Sequence, residues 1–217
     1  EQEEQKDNFL TASELNKLLQ TAKNEENITN YTVLLLSAYT GVRKGEALGL
    51  KWQDVDLENK TISINRTRDN KGTREPKTKN SYRTILIDDV VINQLKKYKT
   101  WCKKTLFEFG KKLNENTFVF ISYQTGKAIT DNSVLYGLRR VIKKGGIKNI
   151  TLHGLRHTHA TLLISQRIPA KVIADRLGNT PQMIFDIYGH SFKELEEESV
   201  TVFGSILQQA GGNSGGE

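Results

Sequence analysis

The chain has 217 residues, with 32 Lys and Arg against 25 Asp and Glu, a formal net charge of +7, and one cysteine, Cys102. A single cysteine excludes a disulfide framework and a cysteine-based zinc cluster, and no apolar run approaches the ~20 residues of a membrane span. The length suits one large domain, and the expected compartment is the cytoplasm, with no membrane contact. Acidic residues gather at the ends, at Glu1, Glu3, Glu4 and Asp7 and again at Glu194, Glu196, Glu197 and Glu198. The body between them is therefore more basic than the net charge states, which points to a polyanionic partner, most simply nucleic acid.

Residues 1–10 are polar and read as the remnant of a linker, the domain proper running over 11–208 and a low-complexity tail over 209–217. Because the first residue is not Met, the expectation is a piece of a longer chain. Thr11-Ala-Ser-Glu14 is a capping box that opens a helix through about Ala22. A second helix, about Asn30 to Tyr39, is nearly all apolar over Val33–Leu36 and is expected to be buried; it stops at Thr40-Gly41. A short helix follows from Lys44 to about Leu50.

The period then changes to two over Thr61–Asn65 and Tyr82–Ile87, with Asp69-Asn-Lys-Gly72 and a basic stretch containing proline between them. That pattern predicts a small antiparallel unit with a long cationic hairpin tip. Helical spacing returns over 89–109, where Cys102 reads as a passive thiol, and Thr117–Ser122 reads as a short strand or an extended segment. The remainder is expected to be helical over 132–145, 153–166, 169–177, 181–188 and 192–209, with Gly189 separating the last two and an acidic turn at Glu194–Glu198. The fold class is mainly α with a small antiparallel sheet, α+β.

Four places concentrate reactive side chains. In Thr40-Gly-Val-Arg-Lys-Gly-Glu46 a glycine turn presents Arg43 at a helix start, where guanidinium and backbone N–H groups together suit phosphate, and Glu46 stands one helical turn away as an ion-pair partner. The hairpin carries Lys77 and Lys79 beside Arg74 and Arg83, and a lysine on a tip can hand a proton to a leaving oxygen. His153-Gly-Leu-Arg156-His157-Thr-His159 sets a proton-transfer group and a second guanidinium on one face of a helix start. His153 and His157 also stand at the i,i+4 spacing of zinc ligands, but Gly154 replaces the glutamate that follows the first histidine of a zincin, and no carboxylate comes later on that helix. Finally Arg176-Leu-Gly-Asn179 precedes Tyr188-Gly-His190, and a tyrosine near arginines can serve as a nucleophile once its proton, of pKa about 10, is taken up.

The order Arg43, Lys77, His153-x-x-Arg156, Leu177-Gly-Asn179, Tyr188 closely resembles the signature of the tyrosine recombinases, as in phage and conjugative-transposon integrases. The words "TGVRKGEALGLKWQDVDL", "KTKNSYRTILI", "HGLRHTHATLL" and "RLGNTPQMIFDIYGHS" carry the resemblance over Gly41 to Ser191. It implies that Arg43 and Arg156 hold the scissile phosphate and that Tyr188 attacks phosphorus to form a 3′-phosphotyrosyl link. Lys77, or Lys79 if the hairpin register differs, would protonate the leaving 5′-hydroxyl, and His153 would act as general base. No metal or nucleotide cofactor would be needed. Asn179 stands where the family usually has His or Trp; it can donate a hydrogen bond to phosphate but cannot shuttle a proton. The tyrosine also falls one residue sooner than in the commonest spacing.

The resemblance implies a catalytic domain lacking the family's N-terminal core-binding domain. It would act on double-stranded attachment sites of a mobile element in a bacterial host cell and associate into a synaptic tetramer through residues 192–209. Arg74, Lys79, Arg83, Lys111, Lys112, Lys143, Lys144 and Lys148 would contact DNA. Two other readings compete, a type IB topoisomerase that religates its own strand and a catalytically silent DNA-binding module.

Overall fold

The computed structural model describes the backbone of residues 8–76 and 79–211, and the side chains of these other than 79, 187–198 and 209–211. Helix α1 (Ala12–Glu25) starts at Thr11, whose hydroxyl accepts from Glu14 N while the Glu14 side chain accepts from Thr11 N, the capping box expected from sequence. Helix α2 (Ile28–Thr40) has Asn27 as its N-cap and buries Val33, Leu34, Leu35 and Leu36. It is the central helix, packed against α1, the short α3 (Lys44–Gly49), and three later helices: α4 (Asp89–Glu108), α5 (Asp131–Gly145) and α6 (Leu152–Ser165). An element surrounded in this way has no polar face to offer, hence its unbroken apolar run.

Strands β1 (Val55–Asp56), β2 (Thr61–Ile64) and β5 (Arg83–Leu86) form one antiparallel sheet in the order β1-β2-β5, with Ile62 opposite Ile85 and Ile64 opposite Arg83. The connection between β2 and β5 is not one open tip. It folds into its own hairpin, β3 (Thr67–Asp69) with β4 (Gly72–Arg74), followed by a 3-10 turn at Lys79–Ser81. Residues 117–122 are extended but make only isolated bridges, Lys51 to Phe118 and Ile121 to Ala128. Cys102 is buried in α4, and burial pushes its thiol up to about 12, so it stays protonated.

Two further sequence expectations change here. Asn8 to Leu10 are part of the domain rather than of a linker: Leu10 is buried in the core, Leu10 N donates to Thr158 Oγ1 at 3.0 Å, and Asn8 Nδ2 donates to Thr151 Oγ1 at 3.0 Å. The second change lies at the other end, after helix α7 (Ala170–Leu177). There the backbone is a single helix, α8 (Pro181–Gly211), rather than two helices broken at Gly189 with an acidic turn between. One interior glycine costs about 1 kcal/mol relative to alanine, which a 31-residue helix absorbs. The tail expected from 209 is likewise helical to Gly211, and residues 212–217 lie outside the described residues.

The core has two parts. The larger holds α1 to α5, the sheet and the first turn of α6; the smaller joins Ala160 and Ile164 of α6 to α7 and Ile184 of α8. The candidate site sits where they meet.

Candidate active site

Two helix C-termini assemble the site. Helix α2 ends at Gly41, whose φ of 65° is left-handed, and a Cβ there would come within 2.5 Å of Leu177 Cδ2. Helix α7 ends at Gly178, φ 67°, where a Cβ would meet Arg83 Nη1 at 2.7 Å. Glycine is required at both positions for the turn and for the close approach. Each helix end leaves carbonyls without helical partners, at the negative pole of its dipole. Arginines fill them. Arg156 donates to Gly41 O and to Leu177 O, both at 2.8 Å, Arg43 to Gly178 O at 3.1 Å, and Arg83 to Arg176 O at 2.7 Å. Arg176 itself donates to Tyr39 O and Leu86 O, each at 3.0 Å.

Glu46 is the counter-charge to Arg43 and Arg83 and is only 3% exposed. It accepts from Arg43 Nη1 and from Arg43 N at 2.8 Å, and from Arg83 Nη2 at 2.8 Å and Nη1 at 3.1 Å. Burial alone would raise its pKa, but the hydrogen bonds and charge of Arg83, then those of Arg43, outweigh it and hold the carboxyl below its ordinary value. Arg83, expected from sequence to contact DNA, is instead turned inward. Its side chain is 6% exposed and committed to Glu46 and to main-chain carbonyls.

Arg43, His153 and Arg156 line one cavity of about 540 Å³, with Thr151, Lys44, Gly45, Thr67, Asp69 and Asp131 on its walls. The α6 N-cap, Thr151, accepts from Gly154 N at 2.9 Å and fixes the turn that carries His153. Partial burial, then the charges of Arg156 and Arg43, lower the pKa of His153, so it is neutral at pH 7 and able to accept a proton. His157 packs edge-on against His153 at 4.5 Å between ring centroids and is held to about 4 by burial, His153 and Arg156. His159 faces the other way. Its Nδ1 lies 3.0 Å from Ala38 O and its Nε2 accepts from Arg176 Nε at 3.1 Å, so the ring is neutral, with its proton on Nδ1.

The chain thus brings together Arg43, Glu46, His153, Arg156 and Asn179, whose Oδ1 accepts from Arg43 at 2.7 Å and from Arg156 at 3.0 Å. Lys77 lies outside the described residues, as does the side chain of Tyr188, although Tyr188 stands in the backbone of α8. Lys79 lies in the 3-10 turn before β5, its side chain also outside the described residues. Arg74 pairs with Asp69 across the β3–β4 hairpin, which borders the cavity through Thr67 and Asp69. Lys111 and Lys112 line a different cavity of about 410 Å³. Lys143 is exposed in the last turn of α5, its neighbour Lys144 pairs with Glu25, and Lys148 lies over the Phe9 ring at 5.6 Å. Sequence reasoning missed the main-chain acceptors Gly41, Leu177 and Gly178 and the Arg176–His159 contact. The available signal was the pair of helix-ending glycines, each beside an arginine.

The sequence pattern of the phage integrase family matches residues 8–194. A "Tyrosine recombinase XerC-like" protein of Caldanaerobacter subterraneus is 31% identical over 192 residues, covering 81% of this chain and 49% of that protein. The ICEBs1 integrase of Bacillus subtilis is 30% identical over 186 residues, 82% of this chain and 49% of its own. Among solved structures, the Tn1549 transposon integrase in complex with transposon right end DNA has the same fold, with a TM-score of 0.72 at 22% identity over 88% of this chain and 65% of that one. XerH recombinase bound to difH substrate gives 0.65 at 25% identity, over 87% and 52%. The chain spans about half the length of these curated relatives.

Proposed function

The chain belongs to the phage integrase family, and from that premise we propose that it is the strand-cleaving part of a site-specific DNA recombinase that integrates or excises a mobile element. The observation that carries this reading is the convergence of Arg43 and Arg156, from different elements, on one acceptor position beside a cavity that His153 lines. Two guanidiniums so placed suit the non-bridging oxygens of a phosphodiester and the charge that grows on them in a pentavalent transition state.

In the proposed reaction the Tyr188 oxygen attacks phosphorus and the bond to the 5′-oxygen breaks. The products are a 3′-phosphotyrosyl link and a free 5′-hydroxyl. His153 takes the tyrosine proton, and Lys77 supplies the proton to the leaving oxygen, with Lys79 the alternative if the register is shifted. Rejoining runs the same steps backward with the 5′-hydroxyl of another strand, which makes recombination. One phosphodiester is exchanged for another, so no energy source is consumed. The partner is double-stranded DNA carrying attachment sites, in the cytoplasm of a bacterial host, with Arg74, Lys79, Lys111, Lys112, Lys143, Lys144 and Lys148 against the backbone. Self-association on DNA uses the end of α8, where Val200, Val202, Phe203, Ile206 and Leu207 are all exposed.

The test is a nicked attachment-site duplex that loses a short strand on cleavage. A protein–DNA species that survives denaturant, forms in EDTA and without ATP, and vanishes in Tyr188→Phe with DNA binding retained supports the reading. Adduct formation by Tyr188→Phe would contradict it.

A further inference from the structure

The inner nitrogens of the two cleft arginines are saturated. Arg43 Nη2 donates to Gly178 O at 3.1 Å and to Asn179 Oδ1 at 2.7 Å. Arg156 Nη2 donates to Leu177 O at 2.8 Å and to the same Asn179 Oδ1 at 3.0 Å. A guanidinium NH2 group has two hydrogens, so neither of these nitrogens has one left for a phosphate. Two of the acceptors are main-chain carbonyls fixed at the end of α7. The third, Asn179 Oδ1, bridges both cations and is the one that can leave by side-chain rotation. Its orientation is dictated by chemistry, because the amide NH2 turned inward would set donors against donors.

We propose that Asn179 is a placeholder for the scissile phosphate. Without DNA its amide oxygen occupies the shared position, between two guanidiniums that Glu46 and the main-chain carbonyls already hold in place. A phosphate oxygen enters by displacing it, and the carboxamide rotates out of the shared position. This rests on reading the cleft as a phosphate clamp. The neutral amide suits such a role because a charged oxygen is the stronger acceptor for a guanidinium, so the exchange runs toward phosphate. A carboxylate at the same place would compete on equal terms, and alanine would not compete at all.

Inorganic sulfate, a tetrahedral anion of phosphate size, tests the idea without a target sequence. It is titrated into the wild-type chain, Asn179→Ala and Asn179→Asp at pH 7, with the Nε–H signals of Arg43 and Arg156 followed by NMR and melting curves checking the fold. The expected order is tightest binding in Asn179→Ala, by roughly three- to tenfold over wild type, and at least about tenfold weaker binding in Asn179→Asp, since charge-assisted bonds are exchanged. Sulfate binding in Asn179→Ala no tighter than wild type, or unchanged in Asn179→Asp, would overturn the proposal. DNA cleavage is scored separately: a wild type that cleaves DNA but shows a flat sulfate series sinks the placeholder alone. The expected sulfate order with no covalent DNA product sinks the recombinase reading and leaves the placeholder standing.

Discussion

Arg43 and Arg156 owe their positions to bonds that a lysine cannot reproduce. Each guanidinium spans acceptors on separate elements, Glu46 and Gly178 O for Arg43, Gly41 O and Leu177 O for Arg156. Arg43→Ala and Arg156→Ala are each expected to slow strand cleavage by on the order of 10²–10³ with a smaller change in DNA affinity, since the lost donors act on charge that develops in the transition state. Lysine at either position should restore only part of the rate, because the planar fork is gone. Single-turnover cleavage of a nicked duplex measures both, and a near wild-type rate in either alanine variant would remove that residue from the clamp. The residues of this cluster were legible in the sequence as spaced words around glycines. The side-chain partners were not, because a buried arginine and a solvated one look alike in a string. Arg83 illustrates the point: it stands in the most basic stretch of the chain and yet is sealed against Glu46.

At the scale of elements, the Glu46–Arg83 pair ties α3 to β5, and the His159–Arg176 contact ties α6 to α7. Removing one partner of a buried ion pair leaves the other uncompensated, so Arg83→Ala is expected to cost about 3–5 kcal/mol, read by urea unfolding. A loss below about 1 kcal/mol would mean that water reaches Glu46. His159 has a pH signature. Burial first, then the charge of Arg176, holds it to about 4, against an ordinary value of 6.5. Between those values the unfolded chain binds the proton and the folded chain does not. The contribution is therefore complete above about pH 6.5 and is lost as pH falls toward 4, on the order of 3 kcal/mol in all. The melting temperature of His159→Asn should fall less steeply than wild type over that window, while His157, also held to about 4, keeps some slope in both. Parallel curves would show that His159 protonates freely in the fold. Element identity was well predicted where a cap or a period specified it, as at Thr11 and over Thr61–Ile64. The division of α8 at Gly189 failed because glycine weakens a helix without obliging it to end.

For the whole molecule, the fold explains how residues 43, 156 and 179 meet: α2, α6 and α7 converge at the seam of two hydrophobic clusters, with the two helix ends facing inward. Sequence periodicity carried the mainly helical class and the small sheet, but not the second hairpin inside the β2–β5 connection, whose strands of three residues are too short to show a period. Val200, Val202, Phe203, Ile206 and Leu207 of α8 are exposed, and the proposed self-association on DNA rests on them. Deleting residues 192–217 is expected to reduce synapsis of two DNA sites in gel shifts while leaving single-site affinity within about threefold, because docking in trans gains from the local concentration that DNA provides. Unchanged synapsis would assign that helix end to its own domain. If the arginine clamp serves Tyr188, the covalent bond to DNA has one address, and that address can be measured. The adduct trapped on a nicked duplex is digested with protease and nuclease, and the peptide that carries the nucleotide is sequenced by mass spectrometry. The expected result is a 3′-phosphonucleotide on the oxygen of Tyr188; the same modification on any other residue would contradict the account.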